Sequence, residues 1–167
     1  MAVTDRKPRG LVRVLLRSPI WFYRAGLGVV FGHRLLYLAH RGRRTGARRE
    51  VVVEVVRYDA AVPTAVVVAA WGGTPDWFRN LRAAPAIEVR VGRLRWQAPE
   101  HRELDAAEVR RTLLAYQRAH PRAWRRLAPL LGFPADPADA RWPEVAARVH
   151  ALAFTPSGGP GSAGEHP

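Results

Sequence analysis

The spacing of apolar residues changes several times along this chain, and each change marks an element. Leu11–Arg17 and Pro19–Phe31 carry apolar residues at helical spacing, with Ser18 placed to cap the second stretch and Pro19 at its first helical position. Gly26, Gly28 and Gly32 weaken that second helix and predict its end near Gly32. Shorter runs then take over. Arg34–Ala39, Glu50–Tyr58, Thr64–Ala70, Ile87–Val91 and Leu94–His101 read as strands, and His150–Phe154 as a closing one. Val51, Val52, Val53, Val55 and Val56 form a β-branched run suited to a barrel wall or to a strand covered on both faces.

Helical spacing returns between and after the strands. Pro75–Ala84 predicts a short helix capped by Thr74, opened by Pro75 and stopped by Pro85. Asp105 and Glu108 have the spacing of a capping box for a helix running to about Ala119, with Leu113, Leu114, Tyr116 and Gln117 on its apolar side. Pro121–Leu131 and Pro143–Val149 complete the set. The strands do not alternate regularly with helices, so the expectation is an α+β fold, mainly β: a small barrel of mixed connectivity with N-terminal helices and a C-terminal helical segment. Residues 1–9 read as a disordered basic N-terminus, 10–155 as one domain, and 156–167 as a disordered tail.

Charge sharpens this picture. Lys and Arg number 27 against 14 Asp and Glu, a net +13 that favours anionic partners. The excess is local, because no acid occurs from Gly10 to Arg49, where nine arginines fall. The absence of cysteine excludes thiolate nucleophiles and cysteine-based metal sites. The histidines lack the spacing of a metal site, so no metal is expected. Leu11–Leu38 is interrupted by Arg13, Arg17, Arg24, His33 and Arg34, which argues against a spanning helix but leaves an interfacial one open. No secretory leader is recognisable, and a cytoplasmic location is expected.

Two segments carry candidate chemistry. Gly42-Arg43-Arg44-Thr45-Gly46 is an arginine-loaded glycine turn between two strands. Its guanidiniums and its accessible backbone suit a phosphate, each charge-assisted hydrogen bond contributing about 1.5–3 kcal/mol. Read without its context it suits a solvated basic hairpin somewhat better. Ala69-Ala70-Trp71-Gly72-Gly73 then leads into the Thr74 helix start, where unpaired N–H groups can face an anion. Trp77 is placed to wall a flat ring or to pack in the core, and Asn80 offers an amide. Asp76, Glu54 and Glu88 read as isolated structural carboxylates, and no acid–base pair stands out. Any difficult chemistry is therefore expected of a cofactor.

Taken in order, these motifs resemble the deazaflavin (coenzyme F420)-dependent nitroreductase and quinone reductase family. The matching residues are Arg41-Gly42-Arg43-Arg44-Thr45-Gly46, the Val51–Val56 run and Trp71-Gly72-Gly73. Trp77-Phe78-Arg79-Asn80-Leu81-Arg82-Ala83-Ala84-Pro85 and Val89-Arg90-Val91-Gly92 follow. The resemblance implies an FMN-binding-like split β-barrel and coenzyme F420 as cofactor, with FMN as the alternative. It also implies that Gly42, Arg43, Arg44, Thr45 and Gly46 line the phosphate and acidic tail. Ala69, Ala70, Trp71, Gly72 and Gly73 would run beside the ring, and Trp77 and Asn80 would complete the wall. The sequence departs from the family pattern in having Arg41 for the usual Thr, Arg44 for the usual Lys, and a short step from Gly73 to Trp77. The tyrosine-rich C-terminal region of nitroimidazole-reducing members is missing, which disfavours nitro compounds as acceptors.

Three functions compete on these grounds. One is a reductase passing hydride from reduced F420 to a small-molecule acceptor such as a quinone or an activated double bond. Another is a carrier that binds F420 or a flavin without turnover. The last is a basic domain held on an anionic membrane through its N-terminal helices, or on nucleic acid, the least favoured partner. A homodimer is compatible with all three.

Overall fold

The computed structural model of the chain describes residue 30 and residues 32–69 and 74–158. The two N-terminal helices expected over Leu11–Arg17 and Pro19–Phe31 lie outside the described residues. Seven strands form one antiparallel sheet: β1 (Leu35–Arg41), β2 (Arg48–Asp59), β3 (Thr64–Ala69), β4 (Glu88–Val91), β5 (Leu94–Gln97), β6 (Glu100–Glu103) and β7 (His150–Thr155). Their order across the sheet is β5-β4-β1-β2-β3-β7-β6, and the sheet curls into a half-barrel.

Strand alternation sorts the side chains. Leu36 and Leu38 of β1 share the interior with Val89 and Val91 of β4 and with Val51, Val53 and Val55 of β2. The register breaks between Val55 and Arg57, where a bulge adds a residue to β2. Val56 therefore joins the outer apolar layer, while Tyr58 returns to the interior opposite Ala65.

Among the described residues, four helices accompany the sheet: α1 (Asp76–Ala83), α2 (Ala106–Ala119), α3 (Pro121–Leu131) and α4 (Trp142–Arg148). α1 buries Phe78 and Leu81 inside the half-barrel. Full burial of each such side chain contributes about 1.5–3 kcal/mol. α2 to α4 cover the outer face of β3 and β7, where Val66, Ala151 and Ala153 meet Val109, Leu113, Trp124 and Trp142. The capping box opening α2 forms as expected: Asp105 accepts from the Glu108 N–H at 2.7 Å, and Glu108 accepts from the Asp105 N–H at 3.1 Å.

Two expectations are corrected. Leu94–His101 is not one strand. β5 pairs with β4 and β6 with β7, so the chain turns from one edge of the sheet to the other at Ala98-Pro99. Ala98 takes a left-handed φ of 42°, and Pro99 has no N–H to continue a ladder. The Ser157 hydroxyl fastens this corner by donating to the carbonyls of Gln97 and Ala98. Thr74 does not cap α1 either. Pro75 occupies the cap position with no side-chain hydrogen bond, and Asp76 begins the helix.

Candidate functional site

The arginine turn is rigid before any ligand is considered. The Gly42 carbonyl accepts from Thr45 N at 3.2 Å and Gly46 N at 2.7 Å, while Gly42 N donates to the Ala47 carbonyl at 2.8 Å. Gly46 sits at a φ of +66°, where a side chain would be strained. Gly42 is buried, and a Cβ there would lie 3.1 Å from Thr45 Oγ1 and 3.5 Å from Arg49 Nε. The turn is thus wrapped closely around Gly42, where a Cβ would require the Thr45 hydroxyl to give by a few tenths of an ångström.

α1 holds this turn in place through Asn80. Asn80 Oδ1 accepts from Arg43 N and from Arg43 Nη1, both at 3.1 Å. Its Nδ2 then points the other way, to the ring Nδ1 of His40 at 3.2 Å. Since Oδ1 is the end that receives the two Arg43 donors, Nδ2 is the donor to His40, and His40 Nδ1 is the acceptor. His40 is only 4% exposed. Burial pushes its pKa below the ordinary 6.5, and the Arg49 charge works in the same direction against a hydrogen bond with the Arg41 backbone. A neutral imidazole is the form that can accept this bond.

The arginines around the turn divide into two sets. Arg43 reaches Asp76 Oδ1 at 3.1 Å besides Asn80, so its guanidinium is tied to the first turn of α1. Arg48 lies on the outer face, donating to Glu88 at 3.1 Å and to the Tyr37 hydroxyl at 3.3 Å. Arg41, Arg44 and Arg49 form the other set, exposed and without an ion pair among the described residues. Arg49 lies opposite His40 in the β1–β2 register, on the same face. Arg41 lies opposite Arg48 in the same register and so shares the outer face, while Arg44 sits in the turn between the two strands.

Glu88 explains why the other basic residues on this side of the sheet are not part of that set. It is 2% exposed and takes Arg48, Arg90 at 2.5 Å and Arg95 at 2.6 Å. The Arg90 guanidinium also lies 5.1 Å over the Tyr37 ring. Burial works against the Glu88 carboxylate, but its hydrogen bonds with Arg90 and Arg48 and the charges of Arg90 and Arg95 outweigh it and hold the pKa below 4.5.

The predicted site residues therefore fall into three groups. Gly42, Arg43, Arg44, Thr45, Gly46 and Asn80 are brought together by the turn and α1. Trp77 is half-buried at the start of α1, edge-on to Phe78 at 6.0 Å, and packs against the interior cluster. Ala69 ends β3, whereas Ala70, Trp71, Gly72 and Gly73 lie outside the described residues. His40, Arg49 and Asp76 were not singled out by the motif reading. Alternation along β1 and β2 could have faced His40 and Arg49 together, but nothing local reveals that Asn80 meets both His40 and Arg43. Among the described residues, no group of His, Asp and Glu could hold a metal ion, and no helix is long and apolar enough to cross a membrane.

Comparison with known proteins bears on the family and the fold. A family model described as F420H(2)-dependent quinone reductase matches residues 15–125. A solved structure described as an F420-H2 dependent reductase (FDR-A) aligns with a TM-score of 0.51 at 17% identity, covering 74% of this chain and 95% of that one. Another, described as a domain-swapped dimer, aligns with a TM-score of 0.51 at 16% identity, covering 82% of this chain and 99% of that one. No curated protein matches the chain. The expected split β-barrel is thus the fold observed.

Proposed function

The chain belongs to the F420H(2)-dependent quinone reductase family, and from that premise we propose that it passes hydride from reduced coenzyme F420 to a quinone or an activated double bond. The observation that carries the reading is the pairing pattern of the arginines. Among the described residues Arg41, Arg44 and Arg49 have no carboxylate partner, while Arg43 and Arg48 are spent on the fold.

Coenzyme F420 fits these residues, since its phosphate and polyglutamate tail call for several cations and a backbone that can be approached closely. Arg44 and Arg49 would hold the phosphate against the Gly42–Gly46 turn, and Arg41 would face the acidic tail. Trp77 would wall the ring on the α1 side. Asn80 acts one step back, because both Oδ1 contacts are already used to fix Arg43. When bound, the reduced deazaflavin supplies a hydride from carbon. The protein's part is then to align the acceptor and keep water away from the ring. A second copy of the chain closing the open side of the site is compatible with this reading, as one structural neighbour is a domain-swapped dimer.

Equilibrium binding of F420, followed by quenching of its fluorescence with FMN titrated in parallel and salt varied, tests the proposal. Saturable, F420-selective binding at micromolar or lower concentration that persists in moderate salt is expected. Binding that collapses with salt for both cofactors would instead indicate a purely electrostatic surface.

A further inference from the structure

We propose that His150, oriented by Glu103, holds the proton that the hydride acceptor takes up. The inference rests on the reductase reading above, because only a hydride acceptor creates the need for that proton. When a quinone or an enone receives hydride, a π bond is lost, a new bond to hydrogen forms, and the electron pair ends on an oxygen. That oxyanion must then be protonated. A group within hydrogen-bond reach accelerates such a step by about 10²–10⁴-fold.

The β6–β7 ladder assembles a pair that spacing along the chain conceals. His150 opens β7 and lies directly opposite Ala69, the last residue of β3. Its ring stacks on Phe78 of α1 at 4.8 Å. Its Nδ1 lies 2.6 Å from Glu103 Oε1 on the neighbouring strand. A carboxylate can only accept there, so Nδ1–H donates to Glu103, and Nε2 is the nitrogen that Glu103 does not engage. The side chains of His150 and Glu103 are 35% and 40% exposed, open enough to meet a small molecule. Among the described residues, the groups that face the ring are Glu103 from β6, Phe78 from α1 and Ala69 from β3.

Among the described residues, other phenols and imidazoles are engaged elsewhere. Tyr37 lies under Arg90 and Arg48 on the outer face, and Tyr58 is stacked on His33 at 3.9 Å. Tyr116 donates to Glu54 at 2.6 Å, and burial followed by that carboxylate pushes its pKa up. His40 is buried against Asn80, and His101 Nε2 contacts the Leu81 carbonyl at 3.2 Å.

In the balanced step, the acceptor gains a hydride and its oxyanion takes the proton from Nε2–H of the cationic ring. The N–H bond breaks, and the neutral imidazole keeps its Nδ1–H bond to Glu103. Solvent restores the proton, and the oxidised cofactor leaves after losing one proton to solvent. Two electrons and two protons in total reach the acceptor.

His150→Gln and Glu103→Gln test this with menadione as acceptor. For His150→Gln, F420 affinity by fluorescence is expected to stay within about 2-fold, the KM for menadione to change little, and kcat to fall by about 10²-fold. Added imidazole should restore part of the rate to His150→Ala. Without any cofactor, ¹⁵N NMR should show the His150 ring nitrogens shifting when menadione is added, and Glu103→Gln should change the starting Nδ1 signal. Wild-type kcat in His150→Gln, or loss of F420 affinity in parallel with kcat, would overturn the assignment. Failure of the wild-type chain to bind F420 would instead overturn the reductase reading, while the NMR response of His150 to menadione would still report on this site.

Discussion

Asn80 Oδ1 accepts two hydrogen bonds from Arg43, one from its backbone N–H and one from its guanidinium, each at 3.1 Å. One amide on a short helix therefore sets both the path of the arginine turn and the direction of its first arginine. Asn80→Ala leaves the Arg43 N–H and the buried His40 ring without that partner. Losing such a partner costs about 1–3 kcal/mol. Urea unfolding is expected to show that loss, and F420 affinity should fall several-fold because the turn is no longer held in register.

Arg43 and Arg44 are neighbours with different tasks. Arg44→Ala removes a free cation, so the unfolding midpoint should be unchanged while F420 affinity falls about 10-fold or more, as expected for one charge-assisted hydrogen bond. Arg43→Ala should lower both stability and affinity, since its guanidinium also joins Asp76 to Asn80. Paired thermal melts and fluorescence titrations separate the two. Equal effects of the two substitutions on F420 affinity with no difference in melting would contradict the division.

Gly46 isolates the cost of backbone conformation. A Cβ there would meet nothing within 4 Å, yet the φ of +66° is left-handed. Gly46→Ala is therefore expected to cost about 1–2 kcal/mol in chemical denaturation through the backbone alone. Gly46→Asn should cost less, as asparagine tolerates that region.

Glu88 ties stability to acid. Its folded pKa lies below the ordinary 4.5, despite the opposing cost of burial, because Arg90, Arg48 and Arg95 favour its charge. A depressed folded pKa stabilises the native state fully above the unfolded value and is lost as pH falls from about 4.5 through the folded pKa. Stability measured by denaturation from pH 6 downward should fall in that window. Glu88→Gln should be less stable at pH 6 by about 1–3 kcal/mol and show a flatter dependence below pH 4.5. An unchanged acid profile in the variant would show that other carboxylates carry the effect.

Much of the fold was legible as pattern. Alternation and β-branched runs predicted β1 to β4 and β7 to within a few residues, since the side-chain period of a strand is a property of local sequence. The Asp105–Glu108 capping box is equally local, and it formed where expected. The corner at Ala98-Pro99 was the main omission. Its residues continue an acceptable strand pattern, and only the separate partners of β5 and β6 split it. Thr74 fails as a cap because Pro75 stays extended, at a ψ of 156°, so that the helix begins one residue later at Asp76.

What the amino-acid sequence determined by itself was the kind of chemistry: an arginine-rich glycine turn, a following aromatic helix, no thiol, and an ordered set of motifs resembling one cofactor family. Composition and order along the chain suffice for that. What the tertiary structure decided was which charges remain available. Glu88 neutralises arginines from β2, β4 and β5, Asn80 takes Arg43, and Arg41, Arg44 and Arg49 are left over. It also set His150 beside Glu103, 47 positions away in the chain. Ion pairs and hydrogen bonds fall off within a few ångströms, so their partners depend on the strand register that folding creates, and spacing along the chain carries no record of them.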